Sequence, residues 1–381
     1  MSKTVKWIAG LVVVVFVLVW GYLAFKGPSL PASNEPIKIG FIGPLTGDAA
    51  SYGISEQNSV KMAVDEINLQ GGIKGHQLQV VYEDGQCGNM AATAAQKLVN
   101  IDQVKIILGG FCSGESLSAL PITKSKKVIL FSSGSSNPTL TGASKYFARN
   151  YPSDALPGKR IAEFMIEKGH KTSGIITETS DAAVGLRKVF IDRFVELGGK
   201  VVADESFVTG TKDFRTTLTK IKEANPSALY VIGQTPASDE LIIKQMNEVR
   251  LKTQIFGGFE MLGGDKILKN IPTLLEGSLY MEPALDENST TTKGFTDKYL
   301  SLYKNFGGLP EIYSATTYDA VYLLKEMIEK YGLDTDKISE GLRQVKDWKG
   351  VEGSLTINEN GDPEFQYVIR VIHNGKVETL R

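Results

Sequence analysis

Two cysteines are the first residues of this sequence whose type and spacing could do chemistry. Cys87 follows the second predicted strand and Cys112 follows the third, so both should lie at the carboxyl edge of one sheet. The pair could form a disulfide or remain two buried thiols, and a disulfide is chemically reasonable in an exported protein. Closing a loop of that length would stabilise the fold by about 3 kcal/mol.

Small polar residues crowd the same edge of the predicted sheet. FCSG at 111–114 leads into a predicted helix, and FSSGSSNP at 131–138 follows the fourth predicted strand. Hydroxyls and free backbone N–H groups at a helix N-terminus bind anions, and a carboxylate fits as well as a phosphate. The alternative is that these residues only cap helices and turn loops. Because two such loops lie at adjacent strand ends, the pattern favours a site for a small ligand.

No set of residues indicates catalysis. The three histidines, His76, His170 and His373, are scattered, whereas a zinc site needs clustered ligands. The sequence has no G-x-x-x-x-G-K-[ST] loop, no G-x-S-x-G elbow and no G-x-G-x-x-G after a strand. The glycines at 71–75 end a predicted helix and are interpreted as a helix stop. We therefore expect neither an enzyme nor a bound cofactor.

A regular alternation of strands and helices would position these residues. Short β-branched runs predict strands at 37–42, 78–82, 104–108 and 128–131, then at 174–177, 201–206 and 229–232. Amphipathic runs between them predict helices at 53–69, 91–99, 116–125, 158–167, 185–197, 214–224 and 239–249. The last part of the chain predicts helices at 295–303, 318–331 and 339–345 and strands at 354–357 and 367–373. This alternation indicates parallel sheets with helices on both faces.

The pattern predicts an α/β fold of two doubly wound parallel-sheet lobes with a hinge, because 381 residues exceed one ordinary core. Ligands bind outside the carboxyl ends of the strands in such sheets, so the interlobe cleft is the expected site. The last part of the chain is too short for a third domain and should complete both lobes. The predicted organisation is a segment at 1–35, lobe I at 36–154 and 284–362, and lobe II at 155–283 and 363–381.

The N-terminal run at 7–25 is uncharged, apolar and long enough to span a bilayer as a helix. Lys3 and Lys6 precede it and only Lys26 follows, which places the N-terminus in the cytoplasm and the rest of the chain outside. We expect a transmembrane anchor, with a cleaved signal peptide as the alternative. The balance of 42 Lys and Arg against 43 Asp and Glu argues against nucleic-acid binding.

Several motifs carry a resemblance to a known family. They are IGFIGPLTG at 39–47, YG at 52–53, AVDEINLQGGIKG at 63–75, EDGQC at 83–87, CS at 112–113 and LKTQ at 251–254. In these motifs the sequence resembles the periplasmic leucine/isoleucine/valine-binding proteins, the substrate-binding components of ABC importers for branched-chain amino acids. The resemblance runs from residue 37 to the end and implies the fold of a type I periplasmic binding protein.

The resemblance implies roles for residues of the first lobe. It implies a disulfide between Cys87 and Cys112. It also implies that the hydroxyl of Ser113 binds the α-carboxylate of the ligand. Gly134 and Ser136 correspond to the residues that face the carboxylate and the α-ammonium group.

Other implied contacts come from residues around the cleft. Tyr52 and Tyr313 look like the aromatic residues that line the side-chain pocket, and Glu260 looks like the acidic partner of the ammonium group. Two tyrosines that close over the ligand in the family are replaced by Ala182 and Gln234. The loss of both rings enlarges the pocket or makes it more polar, and Gln234 could hydrogen-bond a polar ligand.

The predicted function is that of an extracytoplasmic substrate-binding protein. It would act as a monomer without a cofactor, capture a branched-chain or related amino acid by hinge closure and deliver it to the permease of an ABC importer. The N-terminal helix would tether it to the membrane or be cleaved. The alternative is a membrane-tethered sensor ectodomain for amino acids or small amides, an interpretation that leaves only residues 1–6 in the cytoplasm.

Overall fold

Strands and helices alternate along the chain. The computed structural model describes residues 30, 35–284, 289–307, 309 and 311–380, with the backbone alone at 260, 261 and 265. The strands are β1 Ile37–Gly43, β2 Leu78–Asp84, β3 Ile106–Gly109, β4 Ile129–Ser132, β5 Phe147–Arg149, β6 Thr172–Glu178, β7 Lys200–Phe207, β8 Ala228–Ile232, β9 Gln254–Gly257, β10 Leu279–Pro283, β11 Trp348–Lys349, β12 Ser354–Leu355, β13 Tyr367–His373 and β14 Lys376–Thr379. The helices are α1 Ala50–Leu69, α2 Met90–Asn100, α3 Ser113–Lys126, α4 Ala155–Glu167, α5 Asp181–Glu196, α6 Arg215–Glu223, α7 Pro236–Glu248, α8 Asp265–Asn270, α9 Thr290–Tyr303, α10 Ile312–Tyr331 and α11 Thr335–Leu342.

The first sheet is parallel throughout and has the strand order β2-β1-β3-β4-β5. Strand β1 lies between β2 and β3, and it is buried along nearly its whole length because helices cover both faces. Phe41 packs with Val60 of α1 and Leu324 of α10 on one face. The next residue, Ile42, packs with Leu98 of α2 on the other face. Successive side chains of β1 point to opposite faces of the sheet, so the strand packs against a layer of helices on each face.

The second sheet has the order β14-β13-β10-β9-β8-β6-β7. Strands β6 to β10 run parallel, whereas β13 pairs antiparallel with β10, and β14 pairs antiparallel with β13. The last strands of the chain therefore return to the edge of this sheet. The predicted α/β class with two doubly wound lobes is confirmed. The lobe boundaries at 154, 283 and 362 stay a prediction.

Helix α10 begins six residues earlier than the sequence pattern predicts, at Ile312 rather than at 318. Its first turns carry small polar residues, which give no apolar period. Tertiary hydrogen bonds bury them: Ser314 bonds the hydroxyl of Ser55 at 2.7 Å, and Thr316 donates to the carbonyl of Ser133 at 2.9 Å. These partners are remote in sequence, so a local pattern could not reveal them.

The membrane segment predicted at 7–25 lies outside the described residues. Within the residues that the structure describes, no helix combines the length and apolarity needed to cross a bilayer.

A cluster of buried acids lies where the chain leaves β5. Asp319 of α10 accepts the backbone N–H groups of Val351 at 2.8 Å and Glu352 at 2.9 Å, and Asn150 donates to Glu352 at 3.2 Å. Oε2 of Glu352 and Oδ1 of Asn150 are buried and have no hydrogen-bond partner among the described residues. Burial raises the pKa of Asp319 to about 7, and burial beside Asp319 raises the pKa of Glu352 well above its usual range.

This acid pair should make stability depend on pH. The folded protein keeps both protons to a higher pH than the unfolded chain, whose carboxyl pKa values are about 4, so stability should fall as the pH rises from about 4 through 7. The substitution Glu352→Gln removes one charge. We expect it to raise the free energy of unfolding by about 1 to 3 kcal/mol at pH 8 and by less at pH 5. Urea unfolding from pH 5 to 9 measures this.

Glu340→Gln is the matched control, because Glu340 is exposed on α11 and should leave the pH profile unchanged. Parallel pH profiles for wild type and Glu352→Gln would contradict the charge assignment of the pair.

Candidate ligand-binding site

A small cavity of about 30 Å³ lies between the carboxyl edges of the two sheets. This volume is far below the roughly 300 to 1,000 Å³ of pockets that hold small molecules, so an amino acid fits only if the lobes move apart. It is lined by Tyr52, Phe111, Cys112, Ser113, Gly134, Ser136, Tyr151, Ala182, Gln234, Phe259 and Tyr313. The lining comes from the loops after β3, β4, β5, β8 and β9 and from the N-terminal turns of α1, α3, α5 and α10.

The structure brings most of the sequence-predicted ligand residues to this one cavity. Those that line it are Tyr52, Ser113, Gly134, Ser136, Gln234 and Tyr313. The side chain of Glu260, the predicted ammonium partner, lies outside what the structure describes; its backbone begins a 3-10 helix directly after Phe259. The contacts of these residues with a ligand stay a prediction.

Ser113 is the first residue of helix α3 and connects the two polar loops of the first lobe. Its Oγ accepts the backbone N–H groups of Ser136 at 3.2 Å and Asn137 at 3.1 Å. Because the oxygen already accepts these bonds, its O–H group remains to donate. The Ser136 hydroxyl also lies at the cavity and has no hydrogen-bond partner among the described residues. Two hydroxyl donors at a helix N-terminus suit a carboxylate.

A buried arginine holds the second polar loop in place. Arg149, at the end of β5, is fully buried and donates to the carbonyls of Ser135 at 2.9 Å and Asn137 at 3.2 Å. Its Nε donates to Asp362 at 2.7 Å, and its Nη2 donates to the Thr141 hydroxyl at 2.9 Å. Ser135, Asn137 and Asp362 are also buried, whereas Thr141 is exposed. The backbone at 135–137 is therefore fixed before any ligand arrives.

The predicted disulfide between Cys87 and Cys112 is confirmed, with Cα atoms 5.0 Å apart. The carboxyl group of Glu115 supports it by accepting the N–H of Cys87 at 3.0 Å and the N–H of Cys112 at 3.1 Å. Burial raises the pKa of Glu115 to about 8 against these hydrogen bonds. The disulfide therefore fixes the residue that precedes Ser113.

Four aromatic rings of the lining pack against each other. Tyr313 lies 5.3 Å from Tyr52, 5.4 Å from Phe111 and 5.5 Å from Tyr151, measured between ring centroids. Such separations are typical of favourable ring pairs. The ring cluster gives the cavity an apolar wall beside the polar loops.

Sequence reasoning missed three aromatic lining residues: Phe111, Tyr151 and Phe259. Tyr151 follows β5 and Phe259 follows β9, and neither strand was predicted. Phe111 stands next to Cys112 at the end of a predicted strand, which was a usable signal. Inspecting the ends of the predicted strands would have found Phe111, but not Tyr151 or Phe259.

Gly134 makes room for the ring of Phe111. A Cβ atom at position 134 would lie 2.2 Å from two carbons of that ring, closer than atoms can approach. We expect Gly134→Ala to lower the free energy of unfolding by about 1 to 3 kcal/mol, because the ring must move into the cavity. Chemical denaturation measures this. Gly294→Ala is the control, because Gly294 is exposed on α9 and a Cβ there meets nothing within 4 Å.

If Gly134→Ala and Gly294→Ala changed stability alike, Phe111 would not be confined as described. A control that is neutral or slightly stabilising is expected, because alanine favours a helix more than glycine does.

Gln234 of the second lobe forms a hydrogen bond with the first lobe. Its backbone N–H donates to Glu178 of β6 at 2.7 Å, and its carbonyl accepts the hydroxyl of Tyr52 at 2.5 Å. Its side-chain Nε2 lies 3.7 Å and 3.9 Å from the two sulfur atoms of the disulfide. Sulfur is a weak acceptor, so a ligand oxygen could replace it at low cost. The side-chain amide of Gln234 is thus a polar group at the position where the family that the sequence resembles has a tyrosine ring.

Two sheets with a cavity between their facing carboxyl edges define a two-lobed α/β binding protein, and comparison with known proteins agrees. The family model described as "Periplasmic binding protein" matches residues 36–376. The chain belongs to this family, which consists of solute-binding proteins that act outside the cytoplasm. Within the family, the chain is similar to the leucine/isoleucine/valine-binding proteins, as the sequence motifs predict.

Individual relatives match over nearly their whole length. The chain is 28% identical to a leucine-, isoleucine-, valine-, threonine- and alanine-binding protein of Pseudomonas aeruginosa, over 92% of this chain and 94% of the relative. It is 28% identical to the Leu/Ile/Val-binding protein of Escherichia coli, over 89% and 90% of the two chains. A leucine-binding protein of Thermotoga maritima superposes with a TM-score of 0.81 at 28% identity, over 91% and 98% of the chains.

A solved structure with a bound ligand is also similar. The substrate-binding protein of a branched-chain amino acid transporter of Streptococcus pneumoniae, in complex with isoleucine, has a TM-score of 0.79 at 28% identity. The match covers 91% of this chain and 99% of the other.

Proposed function

We propose that this protein captures an α-amino acid in the interlobe cavity and delivers it to the permease of an ABC importer. The observation that carries the proposal is the convergence of separate chain segments on one small cavity with two hydroxyl donors on one side and an aromatic wall on the other. The relatives named for leucine, isoleucine and valine support the ligand class.

The cavity suggests a place for each part of an amino acid. The α-carboxylate would accept hydrogen bonds from the Ser113 and Ser136 hydroxyls at the N-terminus of α3. The side chain would pack on the rings of Tyr52 and Tyr313. Glu260 would pair with the α-ammonium group as the lobes close. Both charges of the zwitterion would then have partners away from water, as burial requires.

Delivery requires a location outside the cytoplasmic membrane, and the family supports such a location. The protein would act there as a monomer, held by its N-terminal segment or released after cleavage. A tethered sensor ectodomain remains the second candidate, because capture in the cleft would serve a receptor equally well. Amino-acid uptake by cells that lack the protein separates the two, since only a transport protein is required for uptake.

A ligand screen tests the ligand class. Thermal shifts of the purified protein should identify an α-amino acid, with leucine, isoleucine and valine tested first. Aromatic carboxylates, small amides and ureas belong in the same screen, because five aromatic residues and one amide line the cavity. A shift with aromatic carboxylates but with no amino acid would refute the proposed ligand class.

Ser113→Ala tests the carboxylate contact. A hydrogen bond to a charged group contributes about 1.5 to 3 kcal/mol, so the affinity should fall roughly tenfold to a hundredfold. Ser125→Ala at the other end of α3 is the matched control, because Ser125 is exposed and bonds only its own helix. Calorimetry with the ligand found in the screen measures both. Equal affinities for the two variants would remove Ser113 from the site.

Glu260→Gln tests the ammonium contact separately. It should weaken an amino acid strongly but leave the corresponding carboxylic acid without an amino group unaffected, because only the former carries a charge for Glu260 to pair with. An equal effect on both ligands would show that Glu260 does not pair with the ammonium group.

A further inference from the structure

The two lobes also touch outside the cavity, at the N-terminal end of α5. Nδ2 of Asn137, in the polar loop after β4, donates to the backbone carbonyl of Asp181 at 2.6 Å. Asn137 is only 6% exposed. Neither residue lines the cavity in which we place the ligand. This interlobe hydrogen bond therefore joins the lobes without a contribution from bound ligand.

The orientation of the Asn137 amide is fixed by the first lobe. Oδ1 accepts the backbone N–H of Thr139 at 2.8 Å and the Thr139 hydroxyl at 2.7 Å. An amide turned the other way would set its NH₂ group against that N–H, so Nδ2 must face Asp181. The interlobe donor is thus held ready by contacts within one lobe.

The backbone of Asn137 is hydrogen-bonded to a residue of the ligand site. Its N–H donates to the Ser113 hydroxyl oxygen, and its carbonyl accepts a bond from Arg149. A single residue therefore connects three parts of the molecule: the predicted carboxylate contact, the buried arginine and the second lobe.

Two glycines permit this close approach of the lobes. A Cβ at Gly185 of α5 would lie 2.8 Å from Nδ2 of Asn137 and 3.1 Å from Cδ of Pro138. A Cβ at Gly114 of α3 would lie 2.6 Å from Oδ2 of Asp181. Glycine is otherwise unfavourable inside a helix, so close packing accounts for its presence at 185.

We infer that Asn137 is a positioning residue for ligand capture, which stabilises the closed lobes through Asp181 and thereby slows release of the ligand. Closure brings the two halves of the cavity together, so the apparent affinity depends on the closed fraction. Loss of one hydrogen bond of ordinary strength should lower the ratio of closed to open molecules about five- to tenfold. The inference rests on the proposed function only for the release step, since the closed fraction is measured without ligand.

Two variants test this contact from opposite lobes. Asn137→Asp keeps an acceptor for Thr139 but cannot donate to the Asp181 carbonyl. Gly185→Ala leaves the first lobe intact and inserts a methyl group where Asn137 approaches. Val195→Ala, at the exposed C-terminal end of α5, is the matched control. All three substitutions are made in the full chain. The proteins are first studied without ligand.

Small-angle scattering of the ligand-free proteins measures closure, and stopped-flow release of leucine measures the dissociation rate. We expect both variants to have a larger radius of gyration than wild type and the control, and to release leucine about five- to tenfold faster at an unchanged association rate. If Asn137 had a purely structural role, the variants would have a lower melting temperature, but the dissociation rate of leucine would not change selectively over the association rate.

Specific outcomes would overturn the inference. The first is a wild-type protein whose lobes are fully open without ligand. The second is a radius of gyration and a leucine release rate that are the same in both variants and wild type. The third is weaker leucine binding that comes from a slower association rate alone. If Asn137→Asp fails to fold, Gly185→Ala decides. If wild type binds no amino acid, the proposed function fails, whereas the scattering comparison still decides whether Asn137 holds the lobes together.

Discussion

Arg149→Met is expected to lower the free energy of unfolding by about 3 to 5 kcal/mol, the usual cost of removing one partner of a buried ion pair. The guanidinium is fully buried, and its pair with Asp362 joins positions 213 residues apart in sequence. Methionine fills similar space but leaves the carboxylate of Asp362 with the Thr141 hydroxyl as its remaining side-chain donor. The carbonyl of Ser135 loses its donor as well, and the carbonyl of Asn137 keeps only the N–H of Leu140.

Urea unfolding of Arg149→Met against wild type measures this loss. Arg215→Met is the control, because Arg215 is about half exposed and its solvent-screened pairs with Asp213 and Glu248 should contribute little to stability. The double variant with Asp362→Asn should recover part of the loss, since no unpaired charge remains buried. A loss no larger than that of the control would show that the ion pair does not hold the loop.

Replacing both cysteines by alanine is expected to lower the free energy of unfolding by about 3.5 kcal/mol, from the chain entropy of a loop of 25 residues. The effect should extend to the ligand site, because Cys112 directly precedes Ser113 and Glu115 bonds the backbone of both cysteines. We therefore expect weaker ligand binding in the double variant even at temperatures where it is fully folded.

A reducing agent provides the internal control. Dithiothreitol should lower the melting temperature of the wild type towards that of the double variant and leave the double variant unchanged. A wild type that responds to dithiothreitol no more than the double variant would contradict a stabilising disulfide.

Local sequence patterns suffice for the elements whose apolar period is complete. Strand β1 is predicted at 37–42 and observed at Ile37–Gly43, because its apolar residues face helices on both sides. Strand β5 has no such period. It contains Arg149, which is buried only because Asp362 reaches it from the far end of the chain. Pairings of this kind depend on tertiary structure and leave no local trace.

The candidate site divides in the same way. Its polar members, such as Ser113 and Ser136, could be found from loop composition, and the roles assigned to them came from family motifs. Tyr151 could not be found, because it follows the strand that the pattern missed. The interlobe bond of Asn137 was equally invisible, since a helix of the other lobe supplies its acceptor.

The return of the chain to both sheets has a consequence for the order of synthesis and folding. Helix α10 covers the first sheet from positions 312–331, and strands β13 and β14 close the edge of the second from positions 367–379. A nascent chain that has emerged only to residue 300 therefore lacks part of each core. Neither lobe can be completed until almost the whole polypeptide has been synthesised.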